Sequence, residues 1–256
     1  MARLFGVDGR TLIVGYDHSV SQGAIAGLND IPSAARKSIT GGVDGLQMGL
    51  HAARWATQVL ATHSHIGLVI RLDLSDAADH SDQVRSSSIR WAGVETALAV
   101  NPDAVVVNLV YDERDSSITR QHTGVVGRTA TECARWGMPL MVEVLAKTGS
   151  LDPAARSTAT INGARIAFEL GADLVKVDFT ADRGALPDLM AAVPVPVLIR
   201  GGAPAGSLSD TLNDLELAMT AGAAGAVYGR TVWRDTDPAR VTRALSKVVH
   251  EVDADL

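Results

Sequence analysis

Lys176 lies in the middle of "GADLVKVDFT" (171–180), a short apolar run that a β-strand would bury. Taking an ammonium group out of water is costly unless it is paired or neutralised. Such a lysine either holds an ion pair, for which Asp17, Asp178 and Glu143 are available, or is used as an amine. With a reference pKa of about 10.4, only roughly one lysine in a few thousand is neutral at pH 7. Desolvation and a neighbouring cation such as Arg71 raise that fraction and make the amine a nucleophile towards a carbonyl. The resulting imine is an electron sink that lets an adjacent carbon–carbon bond break or form, and Asp17 and Glu143 are the carboxylates available to move the proton. The other lysines have ordinary solvated roles: Lys37 and Lys247 fall in helical or terminal segments, and Lys147 in a loop expected after residues 139–145.

Two glycine motifs suggest a place for a phosphate: "RGGAPAGSLSD" from Arg200 and "YGRTVW" from Tyr228. Glycine before a helical segment lets backbone N–H groups approach an anion. Gly201, Gly202 and Gly229 would supply that approach, and Arg230 and Arg200 charge-assisted donors. Taken alone, a glycine pair is more often a tight turn. No GxGxxG and no P-loop occurs, so a dinucleotide or nucleoside-triphosphate site is not indicated.

These residues must be positioned by strands. Apolar runs bounded by Gly, Pro, Asp and Asn recur at 12–17, 43–48, 67–73, 103–110, 139–145, 173–179, 195–200 and 225–230. Between most of them lie segments with helical spacing, such as "STATINGARIAFELG" and "SLSDTLNDLELAMTAG", the latter with Ser209 as a plausible N-cap. Eight apolar strands alternating with helices predict a parallel (β/α)8 TIM barrel, a single domain over 1–256. The weakest unit is the fourth, where "DERDSSITRQHTG" is expected as a long loop before its helix.

Strand side chains alternate between the barrel axis and the helices. The parity that includes Lys176 and Asp178 is therefore inward, and the same test turns Asp17, Gln47, Arg71, Asp73, Asn108, Glu143 and Arg200 inward, with Arg230 following the last strand. Most lie late in their strands, at the C-terminal mouth where barrel enzymes keep their sites and where the last two loops commonly bind phosphate. For any one of them, a satisfied ion pair in the barrel core is the competing explanation.

Composition narrows the partners. The 256 residues are 46% hydrophobic with a net charge of −6, and no basic stripe offers a field for nucleic acid. One cysteine, Cys133, excludes an internal disulfide and a cysteine zinc site, and its helical surroundings suggest a buried thiol. No apolar stretch is long enough to span a bilayer, which points to a cytoplasmic protein without a membrane partner. "HSH" (63–65) with His80 would be a weak metal site at the wrong end of the barrel, so no metal and no cofactor are expected. His18 either lines the mouth or bonds to backbone, and Trp55, Trp91, Trp136 and Trp233 read as packing residues. The stretch from Trp233 to the end reads as an amphipathic helix and a candidate oligomer contact.

"LIVGYDHS", "ARIAFELGADLVKVDFT", "VPVLIRGGAP" and "AGAAGAVYGRTVW" resemble, in order and spacing, the motifs of the DhnA-type class I aldolases. That group includes archaeal-type fructose-bisphosphate aldolase, aminodideoxyheptulosonate synthase and an autoinducer-phosphate thiolase branch. The resemblance implies that Lys176 forms the Schiff base, that Asp17 assists proton transfer, that Gly201, Gly202, Gly229 and Arg230 hold a substrate phosphate, and that the protein is a homo-oligomer. Arg71 stands where the family usually has a lysine, keeping the charge but changing its geometry. In "PLMVEVLAKTG" Glu143 and Leu145 replace an aromatic pair of the fructose-bisphosphate branch that includes an acid/base tyrosine. Glutamate there looks more like the tagatose-bisphosphate and sulfofructose-phosphate branches, so fructose 1,6-bisphosphate is not implied as the substrate.

The expectation is a metal-independent aldolase, a carbon–carbon lyase acting on a phosphorylated ketose with a donor like dihydroxyacetone phosphate. The alternatives are a phosphosugar isomerase or epimerase with Glu143 or Asp17 as base and Lys176 as a clamp, and a catalytically silent phosphate-binding barrel.

Overall fold

The computed structural model describes residues 1–75, 88–149, 152–180, 182, 184–201 and 206–251. In chain order the strands are β1 (Thr11–Gly15), β2 (Gly45–Gly49), β3 (Gly67–Arg71), β4 (Asp73–Ser75), β5 (Ser88–Arg90), β6 (Ala104–Asp112), β7 (Leu140–Lys147), β8 (Leu174–Asp178), β9 (Val197–Arg200) and β10 (Gly225–Tyr228). Eight of them close a parallel barrel in the order β1-β10-β9-β8-β7-β6-β3-β2, and β4 and β5 form a separate antiparallel pair. This is the single (β/α)8 barrel that the alternating runs predict.

Parity divides its core into two layers. Ile13, Val69, Val106, Met141, Leu174 and Leu198 point to the axis and fill the lower barrel. The intervening residues, among them Leu12, Val14, Val142, Val175 and Val177, pack outward in the larger cluster shared with the helices. Leu4 plugs the bottom: a Cβ on Gly45 or Gly67 would fall 2.9 or 2.6 Å from its Cδ2. Those glycines thus make room for a buried leucine that closes the floor.

Several local elements differ from the sequence expectation. No long loop precedes the helix Ser116–Trp136, because Asp115 accepts a 2.8 Å bond from the Ser117 amide and caps it soon after β6. The acidic, serine-rich stretch is helix-starting chemistry. The helix Leu208–Thr220 is capped by Ser207, not Ser209, since Ser207 has an acid three residues on; Asp210 returns a 2.8 Å bond from the Ser207 amide to complete a capping box. Lys147 ends β7 instead of lying in a loop, paired in register with Asp112. The run 67–73 is split, with Asp73 leaving the barrel to pair with Arg90 in the β4–β5 hairpin.

The last helix, Pro238–Glu251, buries Val241, Leu245 and Val249 inside the subunit, packing on the helices Ile31–Thr40 and Leu208–Thr220. Its apolar face is therefore used internally. Cys133 is buried, as is Trp233, but Trp55, Trp91 and Trp136 are 72%, 41% and 49% exposed and do not serve as core packing. Among the described residues no helix is long and apolar enough to cross a membrane.

Candidate active site

Lys176 points into the barrel and is 5% exposed. Register decides its company. Glu143 of β7 lies beside it, Asn108 of β6 lies beside Glu143, and Arg200 of β9 lies beside Asp178. Lys176 Nζ is 3.1 Å from Glu143 Oε2 and donates to Gln47 Oε1 at 3.4 Å. The predicted inward lysine is thus ion-paired, with Glu143 as the partner in direct contact.

Arg71 ties the other side together. Its Nε donates to Asp17 Oδ2 at 2.8 Å, its Nη1 to Asn108 Oδ1 at 3.0 Å and Asp73 Oδ1 at 3.2 Å, and its Nη2 to Glu143. Arg200 grips Asp178 in a fork, with bonds of 2.6 and 3.0 Å, and reaches Glu143 Oε1 at 3.3 Å. Glu143 therefore faces three cations, while Asp17 also accepts from Gln47 Nε2 at 2.6 Å. Well-packed apolar residues would often hold a barrel as firmly as such a buried network, so stability alone is a poor reason to keep it.

The charges are set by competition between burial and neighbours. Burial lowers the Lys176 pKa; Glu143 and Asp17 oppose the shift, and Arg71 and Arg200 add to it. Burial alone would raise Glu143, but Lys176, Arg71 and Arg200 hold it well below the usual carboxylate range. Asp17 is likewise held low against burial, chiefly by Arg71. Asp73 goes the other way, raised by burial despite Arg71 and the 2.8 Å bond from the Asn108 amide. The result is a lysine whose charged form is disfavoured by burial beside two carboxylates, Glu143 and Asp17, whose charged forms are favoured.

His18 follows Asp17 at the rim, its Nδ1 3.7 Å from Asp17 Oδ1 and its ring edge-on to Trp233. Gly229 is a glycine partly for this ring: a Cβ there would fall 2.6 Å from His18 Cε1. Gly201 similarly clears the Tyr228 ring, 2.1 Å from where its Cβ would stand. Both glycines thus have packing reasons besides an anion. Arg230 begins the short helix Arg230–Trp233 at the same rim, and Gly202 lies outside the described residues.

The expected residues that are described border one cavity at the C-terminal mouth, except Gln47 and Asp178, which join it through their bonds to Lys176 and Arg200. Sequence reasoning left two features out. Asp73, for which the inward parity implies no role, braces Arg71. Val20, Ser21 and Gln22 also line the cavity from a helix of four residues, Ser19–Gln22, too short to leave a periodic signal. The His63 and His65 pair lies apart, before β3, with His63 Nδ1 2.9 Å from the Val59 carbonyl oxygen. His80 is outside the described residues, and among the described ones no group of three His, Cys, Asp or Glu is arranged to hold a metal.

Known proteins resemble this chain in sequence and fold. A 2-amino-3,7-dideoxy-D-threo-hept-6-ulosonate synthase of Halobacterium salinarum is 32% identical over 97% of this chain and 89% of its own. A 2-amino-4,5-dihydroxy-6-oxo-7-(phosphonooxy)heptanoate synthase of Streptomyces griseus is 27% identical over 94% and 85%. An archaeal fructose-1,6-bisphosphate aldolase, solved with its catalytic lysine covalently bound to the carbinolamine intermediate, superposes with a TM-score of 0.79 at 25% identity, covering 96% of each chain. Residues 11–235 match the family described as DeoC/LacD family aldolase. With most of its length matched and its lysine-centred barrel mouth, the chain belongs to the DeoC/LacD family of aldolases.

Proposed function

We propose that this aldolase makes or breaks a carbon–carbon bond in a phosphorylated ketose through a Schiff base at Lys176. The observation that carries the reading is the placement of Lys176: an ammonium group buried mid-strand, opening on the mouth cavity, with one carboxylate in direct contact. Attack on a carbonyl needs the neutral amine, and burial together with Arg71 and Arg200 favours it. Glu143, ion-paired with the ammonium at 3.1 Å, would orient the amine and then the iminium nitrogen. The imine withdraws the electrons that the scission releases, so the reaction needs no metal or cofactor.

The phosphate belongs at Gly201, Gly202, Gly229 and Arg230, with Arg200 supporting. Arg230 at the rim, with Gly201 and Gly229 lining the same cavity, supports this assignment. A donor like dihydroxyacetone phosphate fits a reading in which one end carries phosphate and the neighbouring carbonyl reaches Lys176. The phosphonooxy ketone in the name of the Streptomyces relative's product is consistent with that class. Asp17, fixed by Arg71 and Gln47, is placed to hold a substrate hydroxyl or assist proton transfer. Phosphorylated sugars and one buried thiol suit the cytoplasm, and the exposed Trp55, Trp91 and Trp136 offer apolar surface for a homo-oligomer.

Lys176→Arg tests the reading, because it keeps the charge and removes the nucleophile. Turnover of a panel of ketose phosphates should be lost in a protein that still folds. Turnover near the wild-type rate would make Lys176 an ion-pair partner and nothing more.

A further inference from the structure

An aldol step breaks a carbon–hydrogen bond at the donor, or an oxygen–hydrogen bond in reverse, and some group must carry that proton. The mouth carboxylates can assist the transfer but are poorly suited to carry the proton themselves. Glu143 is bound by Arg71, Lys176 and Arg200, and Asp17 by Arg71 and Gln47. A carboxylate stabilised this way is a weak base and does not stay protonated long enough to act as an acid.

His18 has the properties they lack. It lines the same cavity as Lys176, with its ring seated between Trp233 and the bare backbone of Gly229. Its Nδ1 is buried and makes no hydrogen bond among the described residues; Asp17 Oδ1 lies 3.7 Å away. We propose that His18 is the proton carrier of the aldol step, taking the proton from the donor carbon and returning it to the new hydroxyl. The proposal rests on the Lys176 imine and specifies the acid/base that accompanies it.

In the direction of synthesis, the donor is held as an iminium on Lys176. His18 Nε2 takes the proton from the carbon next to the iminium carbon, the C–H electron pair becomes the C=C bond of the enamine, and the iminium π pair returns to nitrogen. The enamine then attacks the aldehyde carbon, restoring the iminium, and the imidazolium gives its proton to the alkoxide oxygen. Nδ1–H faces Asp17 throughout, and that contact strengthens when the ring is charged. The charges around the ring are mixed. Burial, the largest effect, lowers the His18 pKa; Lys176 and Arg230 add to the shift while Asp17 and Glu143 oppose it, and the net direction favours the base form.

The test is the exchange of donor hydrogen with solvent deuterium in dihydroxyacetone phosphate, followed by NMR with no aldehyde present. It is run on the wild-type protein and on His18→Gln and His18→Asn, with borohydride trapping in parallel. The expected result is a fall in exchange of at least about a hundredfold in both variants, the scale of general acid–base catalysis, with trapping at Lys176 retained as proof of a folded site. The wild-type exchange rate should fall as pH drops through a value below the ordinary histidine range, and the residual rate of the variants should lack that limb. Exchange in the variants within about threefold of wild type, or none in the wild type, overturns the role of His18. Exchange that depends on His18 without any trapped lysine would instead refute the imine and leave the proton carrier standing.

Discussion

Glu143 governs the charge of the mouth through its contacts with three cations. Replacing it by glutamine keeps the shape and removes the charge that raises the Lys176 pKa. Breaking a buried pair while its partners remain costs about 3–5 kcal/mol, so Glu143→Gln should melt well below the wild type. The Lys176 amine should become neutral at lower pH, extending borohydride trapping towards acid. An unchanged Tm together with an unchanged pH dependence of trapping would show that the pair has little influence. At the same scale Cys133, its pKa pushed up to about 12 by burial and by Asp173 and Glu132, should resist alkylation until the protein unfolds.

At the scale of elements, the inward parity of each strand was legible because a strand buried on both faces has no ordinary place for a charged residue. That logic identified Arg71, Asn108, Glu143, Lys176 and Arg200 together. It did not find the β4–β5 hairpin, because Asp73–Ser75 runs on from β3 and its partner Ser88–Arg90 is polar and distant in sequence. The bottom plug was also invisible, since Leu4 belongs to no periodic segment. Leu4→Ala should nevertheless cost about 2–5 kcal/mol, the range for truncating a buried leucine, measured by denaturant unfolding. Ser207→Ala should cost about 1 kcal/mol through loss of the capping box. Neither site lines the mouth, so trapping at Lys176 should survive both; its loss would mean that the barrel does not hold the site rigidly.

Across the whole molecule, chemistry and closure occupy opposite ends. At the lower end His250 of the last helix joins Asp8 at 2.7 Å and Asp44 at 3.0 Å, and Asp44 also accepts from the Leu12 amide at 2.6 Å. Contacts between residues 242 and 206 positions apart leave no local signal in the sequence. The bond to Asp44 first, and that to Asp8 after burial has opposed it, push the His250 pKa up to about 9. A raised folded-state pKa gives stability that is complete below the unfolded histidine value of about 6.5 and fades as pH rises through about 9. The Tm difference between wild type and His250→Gln should therefore be largest near pH 6 and shrink towards pH 10, with turnover at the mouth little changed. A difference that grows with pH would contradict this account of the tie.

The most direct test of the central claim is borohydride reduction with dihydroxyacetone phosphate and, separately, with ketose phosphates, followed by peptide mass spectrometry. The account predicts a covalent adduct on the peptide that carries Lys176, and none on those with Lys37, Lys147 or Lys247. No adduct with any donor, or an adduct only at one of the other lysines, would contradict it.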